Sequence, residues 1–166
     1  MFMVRPARMK DRAAIADVAA VTWRATYGEI FTPDYMTNFL RRAYAPERLA
    51  QTMLAPSNCF LVATAGDTPI GFGQVGPAFT RRDAASLVPA DLHRLYVLPA
   101  WQRRGVGRAL LAALETWLTG REVREYGCFV HARNGRGIAF YTAQGFVHTP
   151  ACDHNDEWYM VKGLRK

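Results

Sequence analysis

Two glycines and three arginines stand directly ahead of an apolar stretch in QRRGVGRALLAALETWL, residues 102–118. Gly105 and Gly107 bare the backbone at the start of a predicted helix, and Arg103, Arg104 and Arg108 surround it with positive charge. The first turn of a helix carries N–H groups with no intrahelical acceptor, and the aligned peptide dipoles add partial positive charge there. A phosphate or pyrophosphate suits such a place. Two phosphate motifs are excluded. No GxxxxGK run followed by Ser or Thr occurs, and Leu110 stands where a dinucleotide fingerprint needs its third glycine.

Other polar residues offer less definite chemistry. The tail DHNDEW brings together Asp153, His154, Asp156 and Glu157, a candidate acidic rim for a cation, or simply a solvated loop. Its spacing matches no standard metal site, so no metal is expected. Cys59, Cys128 and Cys152 form no CxxC pair and fit free thiols in a reducing cytoplasm. The net charge of +7 favours a phosphorylated cofactor, an acidic substrate or nucleic acid, and equally fits a soluble basic surface. No apolar run reaches membrane-span length, and MFMVRPARMK lacks a signal-peptide centre, so no membrane partner is expected.

The 166 residues suffice for one domain, 1–166, with a full core. MFMVRPA reads as a short strand, and KDRAAIADVAAVTWRATY as a helix with Asp11 at its N-cap. Ile15, Val18, Ala19, Thr22, Trp23 and Thr26 fall on one face of it. DYMTNFLRRAYAPERLAQTMLA reads as helical in two pieces, since Pro46 breaks or restarts the helix. NCFLVATAG and PIGFGQVG make a hairpin, DLHRLYVL a strand ending before Pro99, and REYGCFVHAR another. In the helix that follows Gly105, Val106, Leu110, Ala113, Leu114 and Trp117 share one face, and Arg108, Ala112 and Glu115 another. GIAFYTAQ is a short helix ended by Gly145, and the tail reads as two strands around a polar loop. This order predicts an α/β fold: a mixed central sheet of about six to seven strands with helices on both faces.

QRRGVG resembles the Gln/Arg-x-x-Gly-x-Gly/Ala signature of the GCN5-related N-acetyltransferases (GNAT), and LYVLPAWQRRGVGRALL resembles its surroundings. NGRGIAFYTAQGF resembles the family's second motif, an Asn ahead of a helix that ends in Phe-Tyr and then Gly-Phe. The resemblance covers essentially the whole chain. It implies acetyl-CoA as donor and direct transfer to a primary amine. By the same resemblance, Gln102 and the amides from Arg103 through Arg104, Gly105, Val106 and Gly107 to Arg108 hold the pyrophosphate. The backbone of Leu95, Tyr96 and Val97 pairs with the pantetheine arm, and Asn134 contacts that arm or the phosphates. Tyr141 occupies the place of the acid that protonates the departing thiolate. A thiol of pKa about 8.5 and a tyrosine near 10 are close enough for that transfer when hydrogen-bonded. Packing beside Phe140 is the other account of Tyr141. The second motif's usual alanine is replaced by Gly137, which suggests either a flexible wall or tight packing.

Amines attack only when neutral. A lysine-like ammonium is neutral in roughly one molecule in 2,500 at pH 7, an α-amine in roughly one in seven. A base therefore matters most for an alkylamine. Asp91 stands where many relatives place a Glu, and strand alternation sends Asp91, His93, Leu95 and Val97 to one side, so Asp91 and His93 are the candidate bases. The shorter Asp favours a water relay, and His93 also fits an ordinary hydrogen-bonded sheet residue.

In the family the first helices line the acceptor site, which here means Trp23, Tyr27, Glu29, Phe31 and Tyr35. They suit a small amine with an apolar body, although Trp23 and Tyr27, four apart, also suit a core pair. Arg41, Arg42, Arg81 and Arg82 would instead suit an acidic substrate. The alternative function is an inactive CoA-binding sensor or interaction module. Nucleic-acid binding is disfavoured, because the arginines are dispersed and no RNP, zinc-finger or basic-helix signature occurs. A hydrophobic edge strand near the C-terminus would support a homodimer.

Overall fold

The computed structural model describes residues 1–79 and 88–165, so Arg81 and Arg82 lie outside the described residues. β1 (Met3–Pro6), β2 (Cys59–Ala65), β3 (Thr68–Pro77), β4 (Ala90–Val97), β5 (Glu125–His131), β6 (Val147–His148) and β7 (Glu157–Gly163) form one sheet. Their order is β1-β2-β3-β4-β5-β7-β6. Every neighbouring pair is antiparallel except β4 and β5. β2 is an unbroken apolar run because it is buried on both faces, between two layers of helix.

The helices are α1 (Arg12–Tyr27), α2 (Pro33–Ala43), α3 (Pro46–Leu54), α4 (Val106–Thr119) and α5 (Gly135–Ala143). Pro33 and Pro46 open α2 and α3, where a missing N–H costs nothing, so Pro46 starts a helix as well as ending the previous one. Asp11 precedes α1 but does not cap it with its side chain. Its carboxylate accepts instead from Arg5 at 2.7 and 3.0 Å and from the Arg8 amide at 2.7 Å, tying β1 to the turn.

α1, α2 and α3 cover one face, with Ile15, Trp23, Leu40, Leu49, Phe60 and Phe72 between them and the sheet. α4 covers the other, its core residues being Val106, Leu110, Leu111, Leu114 and Leu118, with Ile138 and Phe140 of α5 packed alongside. The expected face of α4 was rotated by part of a turn: Leu111 and Leu118 are buried, and Ala113 and Trp117 flank them. On α1, Thr26 is exposed while the other five expected residues are buried.

β4 departs from simple alternation, and the site depends on it. Gln74 pairs with Arg94 and Val75 with Leu92, which leaves His93 as the extra residue of a β-bulge. Facing parity changes there. Ala90, Leu92, Leu95 and Val97 all join the core beneath α4, whereas Tyr96 packs beneath α1 and Asp91 bonds to Tyr159. Asp91 therefore does not share a face with Leu95 and Val97. A second feature follows. β4 and β5 pair only at Asp91–Gly127 and Leu92–Cys128, so the two parallel strands separate beyond residue 92. The β5 side of Leu95–Val97 is left without a ladder partner.

Candidate active site

The opening between β4 and β5 lies next to the start of α4. Arg103 and Gly105 both adopt left-handed backbone, at φ 62° and 84°. That twist turns the chain from the 3-10 turn Pro99–Trp101 into the helix. The first helical hydrogen bond runs from Ala109 N to Gly105 O at 3.0 Å, so the amides of Val106, Gly107 and Arg108 precede it. A Cβ on Gly105 would have no atom within 4 Å, which leaves the amides open on that side. Gly107 plays a different part: its Cβ direction faces the Phe140 ring at 3.5 Å, so it sits in the α4–α5 contact. Gln102 donates from Nε2 to Val97 O at 3.1 Å and thereby holds the loop against the end of β4. Arg103, Arg104 and Arg108 are exposed, with the Arg104 guanidinium 5.3 Å from the Trp101 ring centre. These residues fit a pyrophosphate, with donors from the backbone and charge from the arginines.

α5 forms the far wall. Asn134 caps it, its Oδ1 accepting from Gly137 N at 2.9 Å. An alanine Cβ at 137 would come within 2.6 Å of the Asn134 amide nitrogen, so this glycine reflects tight packing. Tyr141 packs edge-on against Phe140 and Phe146, with ring centres 5.4 Å away in each case. No hydrogen bond engages its hydroxyl among the described residues. Burial, and then the neighbouring Cys128, Tyr96 and Tyr27, push that hydroxyl well above the usual tyrosine range. It stays protonated at neutral pH.

The other face of the opening is aromatic. Trp23 stacks on Phe39 at 4.2 Å and lies 4.6 Å from Tyr27, and its indole N–H donates to the Tyr96 hydroxyl at 3.1 Å. Phe31 lies 4.7 Å from Tyr35 and 5.5 Å from His131. Tyr27 is also beside His131, with ring centres 6.4 Å apart. Trp23 is buried, Tyr27 and Phe31 are half-buried, and Tyr35 is exposed. Four of the five expected acceptor residues thus come together. Glu29 does not join them: it is exposed in the turn after α1. Tyr96, expected to contribute backbone alone, also brings its side chain to this face, and Phe39 and His131 were not anticipated. The period-2 pattern of β5 marks His131 as one candidate, because Val130 is core and its neighbour must face away.

Asp91 and His93 lie nearby with their polar atoms committed. Asp91 is 1% exposed, and its oxygens accept from Tyr159 Oη at 2.7 Å and Phe79 N at 2.9 Å. The His93 Nε2 lies 2.8 Å from Pro77 O, a carbonyl that can only accept, so that nitrogen carries the proton. Nδ1 then accepts from Gln74 Nε2 at 3.3 Å, and the ring stacks on Phe79 at 4.3 Å. Burial lowers the His93 pKa and keeps the ring neutral. Among the described residues no three His, Cys, Asp or Glu side chains group to hold a metal ion, and no helix is long and apolar enough to cross a membrane.

Known proteins resemble this chain in sequence and in fold. The Acetyltransferase (GNAT) family model matches residues 22–146. A spermidine N(1)-acetyltransferase of Thermoplasma acidophilum is 29% identical over 147 residues, which cover 86% of each chain. An aminoglycoside N(6')-acetyltransferase type 1 of Stenotrophomonas maltophilia is 32% identical over 62% of this chain and 69% of its own. The crystal structure of the PaiA N-acetyltransferase of Thermoplasma acidophilum in complex with coenzyme A superimposes with a TM-score of 0.88, at 25% identity over 98% of this chain and 99% of that one. By its sheet opening, its bare helix start and the span of the family match, the chain belongs to the acetyltransferase (GNAT) family.

Proposed function

We propose that this protein transfers the acetyl group of acetyl-CoA directly to a primary amine, and that its acceptor is a small cationic amine of the polyamine kind. The observation that carries the transfer is the separation of β4 from β5 beside the start of α4. The amides of Val106, Gly107 and Arg108 hold the donor's pyrophosphate, and Arg103, Arg104 and Arg108 neutralise it. The free edge of Leu95–Val97 pairs with the pantetheine arm as an added strand would. An amide on that edge polarises the acetyl carbonyl and stabilises the negative charge that develops on its oxygen. Tyr141, protonated and held by Phe140 and Phe146, supplies the proton that the departing sulfur needs. Asp91 and His93 are positioning residues: the first fixes Tyr159 and the 79 backbone, the second locks β4 to Gln74 and Pro77.

Aromatic faces support the acceptor reading. Trp23, Tyr27, Phe31 and Tyr35 present ring surfaces suited to an alkylammonium body through apolar and cation–π contact. The spermidine acetyltransferase relative, matched over most of both chains, points the same way. The test is a thiol-release assay with acetyl-CoA against spermidine, putrescine, an aminoglycoside and an amino-terminal peptide, alongside calorimetric titration of the donor. Release with the polyamines at much higher kcat/KM than with the others supports the reading. Preference for the aminoglycoside or peptide overturns the acceptor class, and donor binding without release from any amine favours a CoA-binding module.

A further inference from the structure

We infer that Tyr159 and Asp91 form a latch that fixes the width of the opening between β4 and β5, and that Tyr159 is thereby a positioning residue for the pantetheine arm of the donor. This rests on the reading above that lays the arm along Leu95–Val97. It assigns a part to a residue that lies outside both motif stretches, 102–108 and 134–146.

The latch spans three strands. β7 carries Tyr159 and β4 carries Asp91, with β5 between them in the sheet. Tyr159 pairs with Phe129 of β5, yet its hydroxyl donates to Asp91 Oδ1 at 2.7 Å, so the phenol runs diagonally across β5. It crosses at Gly127, the residue with which Asp91 pairs. A Cβ on Gly127 would overlap the Tyr159 hydroxyl, so glycine keeps the crossing open. Cys128 and Val130 belong to the core beneath α4, and strand alternation puts residues 127 and 129 on the opposite face, with the phenol. Tyr159 and Asp91 are both buried. An O–H donated to a carboxylate is among the stronger protein hydrogen bonds.

The place of the latch in the sheet gives it its function. β4 and β5 share two rungs, Asp91–Gly127 and Leu92–Cys128, and the bulge at His93 turns β4 away directly after them. Parallel pairing is the weaker kind per residue, and two rungs of it do not set the spacing of two strands by themselves. The latch adds a side-chain tie at the first of those rungs, and each end of the tie is anchored. Asp91 Oδ2 accepts from Phe79 N at 2.9 Å, which holds the chain that follows β3. Tyr159 N donates to Asp153 Oδ1 at 2.8 Å, and Tyr159 O accepts from Thr149 N at 2.8 Å. The fork is therefore clamped at its base, and beyond it the strands stand apart. Without the hydroxyl, β5 shifts against β4 and the slot loses its fixed width. The turn before α4 is tied separately, by Gln102 Nε2 donating to Val97 O. The latch thus acts on the seat of the arm and leaves the seat of the pyrophosphate in place.

Tyr159→Phe removes the hydroxyl and keeps the ring against Phe129. Calorimetric titration of the whole chain with acetyl-CoA, and with ADP as a probe that carries a pyrophosphate without the arm, tests the inference. Tyr159→Phe is expected to weaken acetyl-CoA about tenfold and to leave ADP within about twofold of wild type. In the transfer assay KM for acetyl-CoA should rise by the same factor, with KM for spermidine within about twofold. Gly127→Ala keeps Tyr159 but drives its hydroxyl off Asp91, and it should reproduce the selective loss. The two changes together should cost less than the product of their separate effects, because they break one contact. A purely structural part for Tyr159 would lower the urea midpoint and leave both affinities where they were. That result overturns the inference, as does equal weakening of acetyl-CoA and ADP. Wild-type protein that binds neither ligand overturns the donor reading itself.

Discussion

The two ends of the opening are made in different ways. On the proposed donor side the groups on offer are backbone amides in one continuous stretch, and the arginines beside them, Arg103, Arg104 and Arg108, are exposed. The acceptor side is made of rings and hydroxyls drawn from α1, α2, β4 and β5: Trp23 on Phe39, Phe31 on Tyr35, and Trp23 bonded to Tyr96. A backbone site tolerates almost any side chain except where the dihedrals or a close approach forbid it. A side-chain site changes chemistry with every substitution. The same fold can therefore keep one donor while its acceptor changes, and the two ends should respond to mutation in opposite ways.

The donor end should be broken most severely at Gly105. Its φ of 84° costs an L-residue about 1–2 kcal/mol, yet no atom lies within 4 Å of a Cβ placed there. Gly105→Ala thus isolates the strain and should lower stability by about that much while holding acetyl-CoA affinity within about fivefold. Gly105→Glu adds a negative charge beside the pyrophosphate and should weaken binding about 100-fold or more, close to 3 kcal/mol. Calorimetric titration reads both. Equal affinity for the two variants would move the phosphates away from this turn.

Between the two ends stands Tyr141, and Tyr141→Phe should separate chemistry from binding. Its ring contacts with Phe140 and Phe146 survive the change, so stability and donor affinity should barely move. Turnover should drop about 100-fold, the usual worth of a positioned proton donor. An acetyl thioester of a more acidic thiol, whose thiolate needs less help to leave, should lose less. Unchanged turnover with acetyl-CoA would remove Tyr141 as the acid.

Legibility followed the same division. Residues 102–108 form a local turn, so their order alone predicts a bare helix start, and the left-handed Arg103 and Gly105 lead into α4 there. Helices and strands were equally legible where period and punctuation agreed, as at Pro46 and the turn before β3. What failed was parity across a long strand. One extra residue at His93 reversed the facing of everything after it, and a bulge is set by the partner strand's register, which the sequence of β4 does not contain. Gly107 suggests close approach of a ligand, yet its Cβ direction meets Phe140; at Gly137, where the sequence allows a flexible wall or tight packing, the contact with Asn134 selects the packing. The aromatic face was half legible. Trp23, Tyr27, Phe31 and Tyr35 lie close in sequence, and Phe39, one turn beyond Tyr35 in α2, continues their spacing; Tyr96 and His131 meet them through tertiary contact alone.

Asp91 and His93 sharpen the comparison from the structural side. Asp91→Asn replaces one buried acceptor oxygen with a donor, facing either the Phe79 amide or the Tyr159 hydroxyl. A loss of about 1–3 kcal/mol in urea unfolding is expected, with a smaller relative fall in turnover. His93 gives a pH signature. Its folded pKa lies below the ordinary value, chiefly through burial, so its contribution to stability is complete above about pH 6.5 and is lost as pH falls toward the folded value. His93→Gln, able to donate to Pro77 O and accept from Gln74, should lose less stability than wild type between pH 7.5 and 5.5. Equal losses in the two proteins would show that the ring is charged or exposed in the native state.

Gly107→Ala should have the smallest effect. The Cβ direction of Gly107 leads to Phe140 at 3.5 Å and Val97 at 3.8 Å, ordinary contact distances. An added methyl therefore fills the seam between α4 and α5 and leaves the amides open. Alanine also lowers the conformational freedom of the unfolded chain and favours the helix, by at most about 1 kcal/mol in this first turn. The expected result is acetyl-CoA affinity within about twofold of wild type and a melting temperature unchanged or slightly higher. A marked loss of affinity with unchanged melting would place the donor on the Phe140 side of the helix start, and the backbone-built site would then extend into the α4–α5 seam.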